Sequence, residues 1–273
     1  MMDKTSIIGL ILGIAAVGIG MFLKGITIDA LLNPAAILII FAGTAAAVLI
    51  AFPTRVIKNI PQLFKIIFQE TEKTNVNELI NQFISWAEKT RKEGLLSLEG
   101  QIEEIDDPFL TSGIQMAVDG QNPDFIREVL IEKIEAMEAR HEEGARVFTQ
   151  AGTYAPTLGV LGAVVGLIAA LGNLSNMDIL GAAISAAFVA TLLGIFSGYV
   201  LWHPFANKLR EKSREEVKFK YIMVEGILSI TVGESPNVIK DKLNSFLSTK
   251  ELKKIEEEEM QQREVGNVVE EAD

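Results

Sequence analysis

The chain has 273 residues, 49% hydrophobic and 22% charged, with no cysteine, two histidines and a formal net charge of −11, and its mean hydropathy is +0.29. The charged fraction is that of an ordinary globular domain but the hydropathy is not, so charged and apolar residues must be segregated along the sequence. This excludes collagen, a disulfide-stapled secreted scaffold, a disordered chain and a single soluble globule, and the acidic balance argues against a nucleic-acid partner.

The segregation is plain in the sequence. Residues 53–148 hold 11 Lys+Arg and 18 Asp+Glu, residues 203–273 hold 12 and 15, and the other 106 residues hold only Asp3, Lys4, Lys24, Asp29 and Asp178. Four charge-free runs follow, over residues 5–23, 30–54, 147–177 and 179–207. At about 1.5 Å rise per residue, even the shortest reaches close to the roughly 30 Å of hydrocarbon in a bilayer. The first run also resembles a signal peptide in its short charged start and small residues, but its length and the Lys24 that follows favour a span. Within lipid every backbone N–H and C=O must be paired inside the segment, so each run is expected to be a helix.

Arg55, Lys58 and Lys65 follow the second span, and Lys208, Arg210, Lys212 and Arg214 follow the fourth, whereas the opposite ends hold only Lys24. The positive-inside rule then places both termini and residues 53–148 in the cytoplasm, with outer loops around 24–32 and 173–179. The lack of cysteine fits exposure to a reducing compartment.

The intervening segment reads as helical. Leu79, Phe83 and Trp86 share a helical face that ends at Gly94. Asp119 and Gly120 mark a stop, and Asn122 and Pro123 then offer an N-cap and first turn. The run after them places Phe125, Ile126, Val129, Leu130, Ile134 and Met137 along one face. From Lys250 onward, acids including Glu256 to Glu259 and few large apolar residues read as a disordered tail.

The expected fold is all-α: a polytopic membrane protein with four transmembrane helices, a helical cytoplasmic domain between spans two and three, and a cytoplasmic C-terminal tail. Residues 1–52 form spans one and two, 53–148 the cytoplasmic domain, 149–202 spans three and four, 203–249 a helical C-terminal segment and 250–273 the acidic tail.

The parts of an enzyme are missing. There is no HExxH, GxSxG or GxxxxGK[ST] motif and no cysteine, and His141 and His203 lie on a charged helix face and at a membrane boundary. Proton and ion paths normally mark themselves by ionisable residues inside the membrane, because a charge at the bilayer centre costs upward of about 2.5 kcal/mol. None lies deep in these spans, so if the chain conducts ions a partner must supply the titrating group. Spans three and four instead carry small residues, with Gly162 and Gly166 and then Gly194 and Gly198 at four-residue spacing, and the hydroxyls of Thr153, Thr157, Ser185, Thr191 and Ser197. Close helix packing and interhelical hydrogen bonding use such residues, although a hydroxyl bonded to its own helix explains each Ser and Thr as well. Pro156 removes a backbone donor early in span three, which predicts a kink or a frayed end.

The strings NPAAILIIFAGT, RKEGLLSLE, MAVDGQ, TYAPTLGVLGAVVGLIAALG and ISAAFVATLLGIFSGYVLWHPFANKL, in this order of spans and loop, resemble the MotA family of flagellar motor stator subunits, of the Gram-positive type, over about residues 1–247. The resemblance implies a five-membered ring around a dimer of MotB, whose single transmembrane helix carries the ion-binding Asp, and torque passed to the rotor protein FliG. It assigns Arg91 and Glu99 to the rotor interface, Pro156 and Pro236 to conformational coupling near the inner face of the membrane, and Thr191, with Ala163 and Pro156, to the ion path. Sodium-driven relatives tend to place Thr where Ala163 stands, and an added oxygen suits a hard cation, so the resemblance implies a proton as the ion and no cofactor. Two other readings compete: a TolQ/ExbB-type subunit, which has three spans and an outer amino terminus, and a passive four-span scaffold.

Overall fold

The computed structural model describes residues 3–26, 31, 33–70, 76–103, 105–172, 174–253 and 255. Asp29 and Glu256 to Glu259, and with them part of the expected first outer loop and most of the expected acidic tail, lie outside the described residues. The described residues form helices and no strand. The helices are α1 (Lys4–Leu23), α2 (Pro34–Ala51), α3 (Ile60–Phe68), α4 (Val76–Glu93), α5 (Pro108–Val118), α6 (Pro123–Leu171), α7 (Met177–Thr231) and α8 (Pro236–Asn244), besides short helical turns. Four of them, α1, α2, α6 and α7, are long and apolar enough to cross a membrane.

Local chemistry sets the helix starts. Asn33 caps α2 by accepting from the Ala35 and Ala36 N–H groups at 3.1 and 3.2 Å, with Pro34 in the first turn. Asn176 caps α7 in the same way through Asp178 and Ile179, and the Asp178 carboxylate complements the positive end of the helix. The expected stops hold as well: α4 ends at Glu93 before Gly94 at φ 83°, and α5 ends at Val118 before Gly120 at φ 74°. Two spans contain π-helical turns, Leu38–Ala42 in α2 and Ser197–Trp202 in α7. The second has a visible cause. Pro204 has no N–H for the Val200 carbonyl, and the His203 N–H bonds to Gly198, five residues back.

The chain divides into two compact units. One comprises Met1–Glu72 and Ala139–Ser213, the other Lys73–Glu138 and Arg214–Asp273. In the first, α3 buries Ile67 completely and presents Phe64 and Phe68 to Phe148, Trp202 and Phe205, with Phe64–Phe148 edge-on at 5.1 Å. At the start of α1, the Asp3 carboxylate caps the helix and holds Lys208 at 2.6 Å. Burial alone would raise the Asp3 pKa, but hydrogen bonds from Lys208, Thr5 and the Ser6 N–H outweigh it and hold the group well below the usual carboxylate range.

The second unit has the larger hydrophobic core. Leu79, Phe83 and Trp86 of α4 pack with Ile114 of α5, with Ile222 and Ile227 of α7 and with Ile239 and Leu243 of α8. On α6, Ile126, Leu130 and Ile134 are buried at four-residue intervals, whereas Phe125, expected on the same face, is 48% exposed. The buried stripe is narrower than the apolar pattern predicts, because a residue next to Ile126 is turned roughly 100° around the helix.

Candidate functional site

The candidate site is the part of α6 and α7 within the first unit. Its seam is made of glycine and alanine. A Cβ at Gly194 would come within 2.8 Å of both the Ala155 carbonyl oxygen and the Gly159 Cα, and one at Gly159 would meet Ala190 O and Gly194 Cα at 2.9 Å. The backbones therefore touch, which only side-chain-free positions permit. The expected partnership of Gly162 and Gly166 is looser, since a Cβ there would sit 3.5 Å from Ala190 Cβ and 3.8 Å from Ala187 Cβ respectively. Gly159 carries the close contact in their place. The signal that finds it is a spacing of seven: Gly152, Gly159 and Gly166 recur on one helical face.

Pro156 lies inside α6, and the helix continues through it without fraying. Its missing N–H leaves the Gly152 carbonyl without its helical partner. Gly198, in the π-helical turn of α7, lies over this defect, since a Cβ there would be 2.7 Å from Pro156 Cγ and 2.8 Å from the Gly152 oxygen. On its other side Gly152 carries the His203 ring, 2.8 Å from where a Cβ would stand.

Thr191 is half-buried, and its hydroxyl donates to the Ala187 carbonyl at 3.2 Å, one turn back in its own helix. Thr153, Thr157 and Ser197 also bond within their own helices, to Thr149, Tyr154 and Gly194. Ala163 and Thr191 each adjoin the Gly162–Ala190 contact, so they stand at one level of the hairpin. No Asp, Glu, Lys or Arg occurs between Arg146 and Asp178 or between Asp178 and Lys208.

Charges gather beyond one end of these apolar runs. Arg210 grips Glu142 with two bonds of 2.8 Å and reaches Thr149 at 3.0 Å. That bidentate pair holds the Glu142 carboxyl below its ordinary pKa and raises the Arg210 guanidinium. Arg55 meets Glu143 at 2.6 Å, and His141 Nδ1 meets the Ser213 hydroxyl at 2.9 Å. The remaining candidates belong to the second unit. Arg91 is exposed near the end of α4, Glu99 is exposed at the start of the short helix Glu99–Ile102, and Leu98 between them is fully buried. Pro236 occupies the first turn of α8 behind the Ser235 cap. No group of three or more His, Asp or Glu side chains among the described residues could hold a metal ion.

The sequence matches the MotA/TolQ/ExbB proton channel family over residues 101–221 and the Motility protein A N-terminal region over residues 7–94. The chain belongs to the MotA/TolQ/ExbB proton channel family. It is 60% identical to Motility protein A of Bacillus subtilis (strain 168) over 94% of this chain and 95% of that protein. The structure resembles that of the flagellar MotAB stator complex from Bacillus subtilis, with a TM-score of 0.88 and 60% identity over 92% of this chain and 99% of that one. It also resembles C. jejuni MotAB, with a TM-score of 0.86 and 33% identity over 91% and 97%. Within the MotA/TolQ/ExbB proton channel family the chain is a flagellar stator subunit, a motor and channel component. The match at residues 7–94 covers both leading spans, which separates it from the three-span TolQ/ExbB type.

Proposed function

We propose that this stator subunit conducts protons together with a dimer of a MotB-type partner, around which five copies form a ring, and that it drives FliG through Arg91 and Glu99. The observation that carries this reading is a hairpin with touching backbones and no carboxylate of its own within the apolar runs. A proton crossing hydrocarbon needs a titrating group, and the partner's intramembrane Asp supplies it, with Thr191 facing that Asp across the level of Ala163. Two outer loops and cytoplasmic termini follow from the Lys and Arg bias at the span ends.

Pro156 and Pro236 act as conformational elements, the first by weakening the backbone bonding of α6 and the second by fixing the start of α8. Ala163 leaves the path without the extra oxygen that sodium coordination would favour, so the ion is a proton. Co-expression with the partner bearing or lacking its Asp, followed by cytoplasmic acidification, tests conduction. Equal acidification in both cases returns the chain to a passive scaffold. Swimming that survives a protonophore but stops without sodium overturns the choice of ion.

A further inference from the structure

Thr191, Ile195, Tyr199 and His203 recur every four residues along α7. In a regular helix that spacing drifts round the surface by about 40° per step, but the π-helical turn Ser197–Trp202 has a wider turn that opposes the drift over the last step. The Tyr199 and His203 rings are in contact, with centroids 5.3 Å apart. Tyr199 is 65% exposed and His203 half-buried.

The imidazole lies flat against Gly152, the residue whose carbonyl loses its i+4 helical donor at Pro156. A Cβ at Gly152 would strike the ring, so glycine there gives the histidine its place. Neither ring nitrogen of His203 has a hydrogen-bond partner among the described residues, and neither is sealed off within the chain. His203 is also the first ionisable side chain after Asp178 apart from the Tyr199 phenol.

We propose that Tyr199 and His203 extend the proton path from the level of Thr191 to the inner end of the fourth span, with His203 as the exit relay. This rests on the proton-conducting reading above. One imidazole nitrogen accepts a proton through water from the Tyr199 side, and the imidazolium gives a proton up to cytoplasmic water, which restores the neutral ring and leaves the balance unchanged. A neutral imidazole offers one accepting and one donating nitrogen, which suits it to both half-steps. The groups against the ring are the Tyr199 phenol on its own helix and the Gly152 backbone on α6. The charges flanking that level are already engaged: Lys208 with Asp3, Arg210 with Glu142, and Arg55 with Glu143.

The test uses the full complex of this chain with its MotB-type partner in proteoliposomes, with proton flux measured against internal pH for the wild type and for His203→Gln, His203→Ala and Tyr199→Phe. His203→Gln and His203→Ala should conduct at least about fivefold more slowly and lose the dependence on internal pH that the wild type shows. Added imidazole should restore flux to His203→Ala, and Tyr199→Phe should show a smaller loss. A wild-type complex that conducts, beside variants with the same flux and pH profile, overturns the relay alone. Flux lowered equally at every pH and not restored by imidazole does the same, by making His203 only a packing residue. A wild-type complex with no flux overturns the conduction reading on which the relay depends.

Discussion

The Pro156 ring packs directly on Gly198, where a Cβ would lie 2.7 Å from Pro156 Cγ. One residue interrupts the hydrogen bonding of α6, and the other belongs to the π-helical turn that Pro204 imposes on α7. The two irregularities therefore stand at the same level of the hairpin. A proline defect is tolerated inside a membrane helix where a neighbouring helix covers the freed backbone group, and Gly198 lets α7 come close enough to do so.

Gly194→Ala and Gly198→Ala should each destabilise the complex by about 1–3 kcal/mol, the usual cost of forcing added volume into a packed interface. Gly181→Ala is the control, because nothing lies within 4 Å of its added Cβ. It should be neutral or raise stability by up to about 1 kcal/mol through helix propensity. Thermal melting of the detergent-solubilised complex separates the cases, and similar melting shifts for Gly194→Ala and Gly181→Ala would remove the contact from the explanation.

Asp107 caps α5, accepting from Phe109 and Leu110 at 2.8 and 3.1 Å, and also holds the buried Lys220 ammonium at 2.6 Å. Burial pushes the Asp107 carboxyl up, but Lys220 and the two N–H groups push it down further, so its folded pKa lies below the ordinary value. The stabilisation is therefore complete above the unfolded carboxylate pKa and disappears as pH falls through the lower folded one. Asp107→Ala should cost about 2–4 kcal/mol, combining a lost cap with an unpaired and largely buried cation, discounted for partial exposure. Asp107→Asn, which keeps a capping oxygen, should cost less. Melting followed from about pH 6 to about pH 3 should show the wild type converging on the Asn variant, and parallel curves would contradict the linkage.

Arg91→Glu should reduce swimming speed while leaving the melting temperature within the small range of surface substitutions, because the side chain is exposed and the buried anchor of that corner is Leu98. A charge reversal on the rotor should restore part of the torque. Unchanged swimming in the single variant would return Arg91 to an ordinary solvated position.

Thr191→Val keeps the shape of the side chain and loses one intrahelical bond, from the hydroxyl to Ala187. Assembly with the partner should survive and proton flux should fall. Normal flux would leave Thr191 with packing and that local bond as its whole role.

The four spans were legible because lipid leaves a backbone no alternative, and the caps at Asn122 and stops at Gly94 and Gly120 because each is a local event. The seam was legible only in part. Gly194 and Gly198 announced themselves at four-residue spacing, but their true counterparts, Gly159 and the Gly152–Pro156 step, depend on how two helices are set against each other, which no single helix encodes. The same reason hid Gly152 as the seat of His203. Pro204 is the proline behind the π-helical turn of α7, whereas Pro156, at which the sequence predicts a kink or a frayed end, sits in a helix that carries on regardless. The exposure of Phe125 was missed because the apolar stripe on α6 is narrower in packing than in composition.

The Gly159–Gly194 seam has a mechanical consequence. Interdigitated leucines or valines behave like cog teeth, since any slip must drive side chains over rotamer barriers. Glycine and alanine have no rotamers to turn over, so where Gly159, Gly194 and Ala190 meet the two helices bear on each other as smooth rods. A displacement along that line meets few discrete steps, which is what shear between packed helices requires.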